Sequence, residues 1–362
     1  MFTAIYLEEL KVTAKDRLLK LEQVLQSFVA SPQGIDIFVA QVDPDAIGSA
    51  LGTMLLIEAI FTRSPKIFYA GHIAHPQNKW VFNKYGLRKM FAPVAEYKNG
   101  EGKIHAIVDS SLAQDSRIKL ALSPKIVIDH HKGSELVEDE NSFFWIEEVG
   151  IGAASTLVTE LLREKDYKFS PDNAYIATLL ALGIYNDTKS MMSASKRDRA
   201  AFDYLSQQFQ EQELVQLIEY TYTEGYFNRL KNALNSILRK GSRMVTSVGE
   251  INENNADDLS TIADTFMRME GITLVAVLGW LGENIRISVR NKDLGMPLDE
   301  FLKKRFPNMS GAKLAPDGRG EGGVLLTLEN VQSLKILMGA EKSQEIMRDA
   351  IVKSIAELFF TD

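Results

Sequence analysis

Apolar residues between Leu7 and Phe28 (Leu10, Val12, Leu18, Leu19, Leu21, Val24, Leu25 and Phe28) recur at mixed spacings of three and four, the period of an amphipathic helix. Short apolar runs follow: IDIFVAQV from Ile35, KIFYA from Lys66, IHAIVD from Ile104 and KIVID from Lys125. Each has strand length and is rich in β-branched residues. Helical stretches such as AIGSALGTMLLIEAIF after Asp45 lie between them. Alternation of this kind predicts an α/β fold with a mostly parallel sheet covered by helices on both faces.

From Ser155 to about Leu238 the pattern is almost entirely helical, through TLVTELLREK, NAYIATLLALGIY, RDRAAFDYLSQQF and ELVQLIEYTYTEGYFNRLKNALNSIL, the last read as one helix able to bridge two lobes. Strand signals return after Gly241 in MVTSVGEI, TLVAVLGW, NIRISVR and GVLLTLE, with helices near Asp258 to Met269 and Glu341 to Phe360. The expected organisation is an N-terminal domain over 1–210, a helical linker over 211–242 and a smaller C-terminal α/β domain over 243–362. A chain of 362 residues exceeds what one compact core usually holds, which agrees with two domains.

Composition narrows the function classes. The formal net charge of −7 argues against a broad basic face that grips duplex nucleic acid, and leaves room for a small anionic substrate held by a local cation. The absence of cysteine removes disulfides, thiolate nucleophiles and thiolate-bound metals together. The N-terminal residues mix acidic and basic side chains, unlike a signal peptide, and no apolar run is long enough for a bilayer. A cytoplasmic protein without a membrane partner is expected.

The acids and histidines fall at the ends of the strand patterns. Asp43 and Asp45 follow the first strand, Asp109 ends IHAIVD, Asp129, His130 and His131 follow KIVI, and Asp187 follows the apolar helix ALGIY. In an open parallel sheet, ligands bind at the carboxyl ends of the strands. Carboxylates gathered there repel one another unless a cation neutralises them. Oxygen and imidazole donors without thiolate suit Mn²⁺ or Mg²⁺, with Fe²⁺, Co²⁺ or Zn²⁺ as substitutes. Two such ions about 3.5 to 4 Å apart activate a water and stabilise a leaving oxygen in phosphoryl transfer.

Plainer roles compete at each position. Asp43 and Asp45 alone read as a turn and helix N-cap, Asp187 as a residue in an Asx turn with Thr188, and His105 as a structural strand residue. His72 and His75 read as loop residues, Glu138 to Glu140 as a solvated loop, Met191 and Met192 as core filler, and the glycines near 320 as a flexible loop. Two adjacent imidazoles after an apolar strand have no packing rationale, and they tip the balance towards chemistry.

The segments VDPDAIGSALG (42–52), IVDSS (107–111), IVIDHHKG (126–133) and GIYNDTKSM (183–191), in this order, resemble the four motifs of the DHH phosphoesterase superfamily. DGRGEGG (317–323) is similar to the glycine-rich signature of the associated C-terminal substrate-binding domain. The resemblance implies that Asp45, Asp109, His130 and Asp187 hold one metal, and Asp43 with Asp109 the other. It implies that His131 faces the scissile phosphate as hydrogen-bond donor or acid, and that Asp129 orients a neighbouring group. Arg290, Arg319, Gly318, Gly320, Gly322 and Gly323 would bind substrate in a cleft between the lobes. The chain departs from the pattern at Val39, where many members carry a histidine four residues before the first motif aspartate, which leaves occupancy of the first-motif metal open; His72 and His75 are candidate replacements. It departs again at Arg319, which stands at a usual histidine position and whose planar fork suits a phosphate.

The expected activity is two-metal, Mn²⁺-dependent hydrolysis of a small nucleotide or short single-stranded oligonucleotide, as phosphodiester or phosphomonoester; Mg²⁺ is an alternative metal. An exopolyphosphatase-like phosphoanhydride hydrolase, and a non-catalytic nucleotide-binding regulator with a degenerate site, are the rival readings. A homodimer is compatible with all three.

Overall fold

The computed structural model describes residues 13–29, 34–61, 64–98, 103–110, 118, 120, 122–131, 136–147, 149–314, 319–327 and 341–361. The chain divides into two compact units, Met1–Ile73 with Gln77–Tyr220, and Ala74–Pro76 with Thr221–Asp362.

The N-terminal unit opens with helix α1 (Ala14–Phe28), whose first turn is closed by a capping box. Thr13 Oγ accepts from the Asp16 amide at 3.2 Å, and the Asp16 carboxylate accepts from the Thr13 amide at 2.9 Å. Six parallel strands follow: β1 (Ile35–Val39), β2 (Lys66–Tyr69), β3 (Phe91–Pro93), β4 (Ile104–Val108), β5 (Pro124–Asp129) and β6 (Phe143–Ile146). Their spatial order is β3-β2-β1-β4-β5-β6. The order reverses between β1 and β4, so a crevice forms at the carboxyl ends of those two strands. Every residue of β1 and β4 is buried, as a sheet covered on both faces requires. The short strands β3 and β6 escape the sequence pattern because three or four residues show little periodicity.

Helix α2 (Pro44–Glu58) starts directly after β1, with Asp43 as N-cap and Pro44 in the first turn. It lies against α4 (Ala154–Glu164) and α5 (Ala174–Asp187). The approach to α5 is too close for side chains at two positions. A Cβ on Gly48 would stand 2.6 Å from the Leu179 carbonyl oxygen, and one on Gly183 would stand 2.8 Å from Asp45 Cα. Helix α3 (Pro76–Tyr85) follows β2, while α6 (Lys196–Ser206) and α7 (Glu211–Ile218) pack on α5.

The helix expected to run on to Leu238 is interrupted after α7. Helix α8 (Glu224–Asn235) begins anew, because Thr223 adopts extended backbone and its hydroxyl accepts from the Tyr226 amide at 3.2 Å. Helix α8 packs on β8 (Arg243–Ile251), the second strand of the C-terminal unit.

The C-terminal unit holds a mixed sheet of six strands: β7 (Leu238–Lys240), β8 (Arg243–Ile251), β9 (Leu274–Leu281), β10 (Asn284–Asn291), β11 (Ser310–Leu314) and β12 (Gly320–Thr327). Their order is β11-β12-β10-β9-β8-β7, with β8 and β9 parallel and the other neighbours antiparallel. One face is covered by α10 (Leu298–Arg305) and α11 (Glu341–Phe360), the other by α8 and α9 (Asp258–Phe266). Gly320 to Gly323 do not form a loop. They belong to β12, between β11 and β10. A Cβ on Gly320 would meet Leu298 Cβ at 2.8 Å, and one on Gly322 would meet Leu302 Cδ1 at 2.7 Å, so both glycines make room for α10.

Candidate active site

The carboxyl ends of β1, β4 and β5 and the last turn of α5 deliver the acids and histidines. Asp45 lies in the first turn of α2, fully buried. Its two oxygens each accept one amide at 2.7 Å, from Ala154 and Ser155 at the start of α4. The N-terminus of α4 thus aims two of its unpaired amides at the carboxylate. Asp43 caps α2, its Oδ1 accepting from the Ala46 amide at 2.9 Å. Asp109 follows β4 directly with φ of 58°, a left-handed backbone that is uncommon outside glycine and is found where structure over-determines it.

Imidazole and carboxylates converge on one point. Nε2 of His130 lies 3.4 Å from Asp109 Oδ1, 3.6 Å from Asp45 Oδ2 and 3.7 Å from Asp187 Oδ2. Ligand atoms of Asp45, His130 and Asp187 fall within 4.8 Å of one another, as do those of Asp109, His130 and His131. The first of these groups joins three residues assigned to one metal in the sequence. The second adds His131, which the sequence reading gave to the substrate. Among the described residues Asp43 is in neither group, although its charge reaches Asp109 and Asp187.

Electrostatics show what the cluster lacks. Burial, followed by the charges of Asp45 and Asp43, holds the Asp109 carboxyl well above the usual carboxylate range, and the same causes act on Asp187. Asp109 Oδ1 and His130 Nε2 are buried and make no hydrogen bond; Asp129 Oδ2 and Ser110 Oγ share that condition. Buried polar atoms are rarely left so. Oxygen and nitrogen donors with free lone pairs, aimed at a common point, fit a divalent cation of the Mn²⁺ or Mg²⁺ type.

Asp129 has a different part. Its Oδ1 accepts from the backbone amides of His130 and His131 at 2.8 and 3.1 Å, and lies 2.8 Å from His131 Nδ1. A carboxylate there places the ring proton on Nδ1 and leaves Nε2 as the exchanging nitrogen. Burial alone would lower the His131 pKa, but the Asp129 hydrogen bond and the Asp109 charge outweigh it and raise it.

The remaining predicted residues lie in the C-terminal unit or outside the two ligand groups. Arg290, on β10, donates from Nε to Asp264 Oδ1 at 2.7 Å. Arg319 is exposed just before β12, Gly320 is buried and Gly323 exposed. Gly318 lies outside the described residues, as do Ser111, Lys132 and Gly133 of the motifs. His72 and His75 belong to neither ligand group, and His105 is buried with Nε2 2.8 Å from the Tyr97 hydroxyl.

Comparison with known proteins agrees with this geometry. Residues 36–184 match the model of the DHH family, N-terminal domain. An uncharacterised protein of Methanocaldococcus jannaschii is 30% identical over 352 residues, covering 96% of this chain and 69% of that protein. The chain belongs to the DHH family. The DHH motif itself is Asp129-His130-His131, at the end of β5. Membership makes this DHH chain a hydrolase of phosphoric esters, of a kind that typically depends on metal. An A-adding tRNA nucleotidyltransferase of Aquifex aeolicus is 27% identical over 225 residues, 61% of this chain but 25% of that protein. An exopolyphosphatase-related protein from Bacteroides fragilis shares the fold of the DHH chain, with a TM-score of 0.66 at 16% identity, covering 95% of this chain and 99% of that one. Among the described residues no helix is long and apolar enough to cross a membrane.

Sequence reasoning missed the α4 N-terminus as the seat of Asp45, and Asp198, a fully buried acid on α6 bonded to the same loop. AAST after Gly152 is a helix-start signal that could have found the first; KRDRAAF reads as an ordinary polar helix and hides the second.

Proposed function

We propose that this DHH chain is a Mn²⁺-dependent, two-metal phosphoesterase that hydrolyses a small nucleotide or a short single-stranded oligonucleotide, at a phosphodiester or terminal phosphomonoester. The observation that carries the reading is the convergence of Asp45, Asp109 and Asp187 oxygens on an unbonded, buried His130 nitrogen. Bound divalent ions would supply Lewis-acid activation of water and charge neutralisation at the phosphate. Asp45, His130 and Asp187 would hold one ion, Asp109 would be shared, and Asp43 would serve the other. His131, with Nδ1 fixed by Asp129, keeps Nε2 for a proton delivered to or shared with the phosphate or leaving oxygen. In the C-terminal unit Arg290 and Arg319 would contact phosphate, with Gly318, Gly320, Gly322 and Gly323 offering backbone to the ligand. The proposal takes the enzyme to be cytoplasmic, with neither duplex nucleic acid nor membrane as partner.

A second reading, cleavage of phosphoanhydrides, is favoured by the description of the Bacteroides fragilis structure as exopolyphosphatase-related. Initial rates with Mn²⁺ on a labelled short oligoribonucleotide and on polyphosphate separate the two. The proposal expects faster turnover of the oligonucleotide; preference for polyphosphate would replace it with the second reading.

A further inference from the structure

Asp198 is fully buried and lies outside the four family motifs, shortly after the last of them at 183–191. It is the third residue of α6, where it completes a capping box: its Oδ2 accepts from the Ser195 amide at 2.8 Å, and its own amide donates to Ser195 Oγ at 3.2 Å. Capping α6 requires no more than these two bonds. The carboxylate does more. Both of its oxygens accept from the Gly152 amide at 3.1 Å, and Oδ1 accepts from the Thr156 hydroxyl at 2.6 Å.

Gly152 and Thr156 bracket the turn whose Ala154 and Ser155 amides grip Asp45 at 2.7 Å. One short segment therefore carries two buried carboxylates, Asp45 towards the metal cluster and Asp198 behind it. The segment is also pinned from a third side, because a Cβ on Gly152 would lie 2.6 Å from Thr188 Cγ2, and Thr188 follows Asp187. Movement of this turn displaces the Asp45 oxygens, and through Thr188 it reaches Asp187.

We propose that Asp198 is a positioning residue for the metal cluster: by fixing the Gly152–Thr156 turn, it sets the Asp45 carboxylate in the geometry that binds the cation. The inference rests on the metal reading above. Residues that orient metal ligands typically change metal affinity by about 10- to 100-fold when removed.

Mn²⁺ affinity of chelator-stripped protein, measured by calorimetry and by the spin-resonance signal of free Mn²⁺, tests this with three variants. T156V removes the Thr156 hydroxyl bond, the link from Asp198 into α4 itself, and leaves the Gly152 amide bond and the α6 capping box whole. S195A weakens the α6 cap and leaves the α4 link whole. D198N removes acceptor capacity from both. The expected result is a Mn²⁺ Kd raised about 10-fold or more in T156V and D198N, with S195A within twofold of wild type although its melting temperature falls. Excess Mn²⁺ should restore the wild-type Mn²⁺ stoichiometry in T156V. Should D198N fail to fold, T156V decides by itself. Unchanged affinity in T156V, or an equal loss in S195A, would overturn the role of Asp198 while leaving the metal reading intact. Wild-type protein that binds no Mn²⁺ would overturn both.

Discussion

The two sheets handle charge in opposite ways. In the C-terminal unit the arginines are matched locally: Arg290 with Asp264, Arg229 with Asp258 and Arg348 with Glu250. Among the described residues, every buried side-chain polar atom without a hydrogen bond belongs to the N-terminal unit, and Asp109, Ser110, Asp129 and His130 stand together at the ends of β4 and β5. These arginines of one unit are matched by acids of the same unit; the other unit carries unpaired polar atoms that a cation would close. A buried acid is thus informative about function through what surrounds it, more than through its burial.

Exchanging one acid in each unit breaks this contrast most sharply. Asp109→Asn keeps a residue that tolerates the left-handed backbone and removes the carboxylate proposed to be shared by the two ions. Metal-dependent hydrolysis should fall by about 10³-fold, roughly 4 kcal/mol of transition-state stabilisation. The same variant, stripped of metal, should melt higher than wild type, because it relieves repulsion among Asp43, Asp45 and Asp109. Asp258→Ala should do the reverse. Arg229 Nε lies 2.6 Å from Asp258 Oδ2 in a largely buried pair, and an orphaned Arg229 costs about 3 kcal/mol. Assays with and without chelator, plus thermal melts of both proteins, check the pair; a D109N protein that melts lower than wild type without metal would contradict the repulsion argument.

Glycines sharpen the comparison at smaller scale. An alanine at Gly183 meets Asp45 Cα at 2.8 Å and Ser155 Oγ at 2.6 Å, where backbone and site must both shift. Its cost should reach about 1 to 3 kcal/mol, with weaker Mn²⁺ binding. An alanine at Gly322 mainly meets the end of the Leu302 side chain at 2.7 Å, so a smaller loss of stability and unchanged Mn²⁺ affinity are expected in chemical denaturation and titration.

Much of the N-terminal unit was legible because charged residues interrupt apolar strand patterns at their carboxyl ends, as at Val108-Asp109 and Ile128-Asp129. The sheet order puts those ends side by side. What stayed hidden depends on contacts far apart in the chain. Asp198 sits in a polar helix pattern whose buried side declares itself only when α4 is packed against it. Gly320 to Gly323 read as a loop because glycine is a poor strand former, whereas the packing of Leu298 and Leu302 needs the bare backbone in β12. The stretch from Glu213 to Leu238 reads as one helix because periodicity continues across Thr223, whereas the cap there restarts the hydrogen bonding.

The pH dependence of stability tests the same contrast through titration. Asp109 and Asp187 have raised pKa values, so the folded metal-free protein holds protons that the unfolded chain releases above the ordinary value of 3.8. Stability then declines as pH rises from there through the raised values. His131 acts in the same direction, its contribution present below 6.5 and lost as pH climbs through its raised pKa. Added Mn²⁺ should offset the decline, by an increment that grows with pH, since its ligands must be deprotonated. Melting curves across pH 4 to 8 with chelator and with Mn²⁺ check the sign; an increment that shrinks towards neutral pH would speak against these residues as ligands.

Calorimetric titration of Mn²⁺ into chelator-stripped protein, compared between wild type and His130→Ala, addresses the central claim most directly. The account predicts saturable binding of up to two ions per chain in wild type, and a large loss of affinity when the nitrogen at the centre of Asp45, Asp109 and Asp187 is removed. No saturable binding in wild type, or equal binding in both proteins, would contradict it.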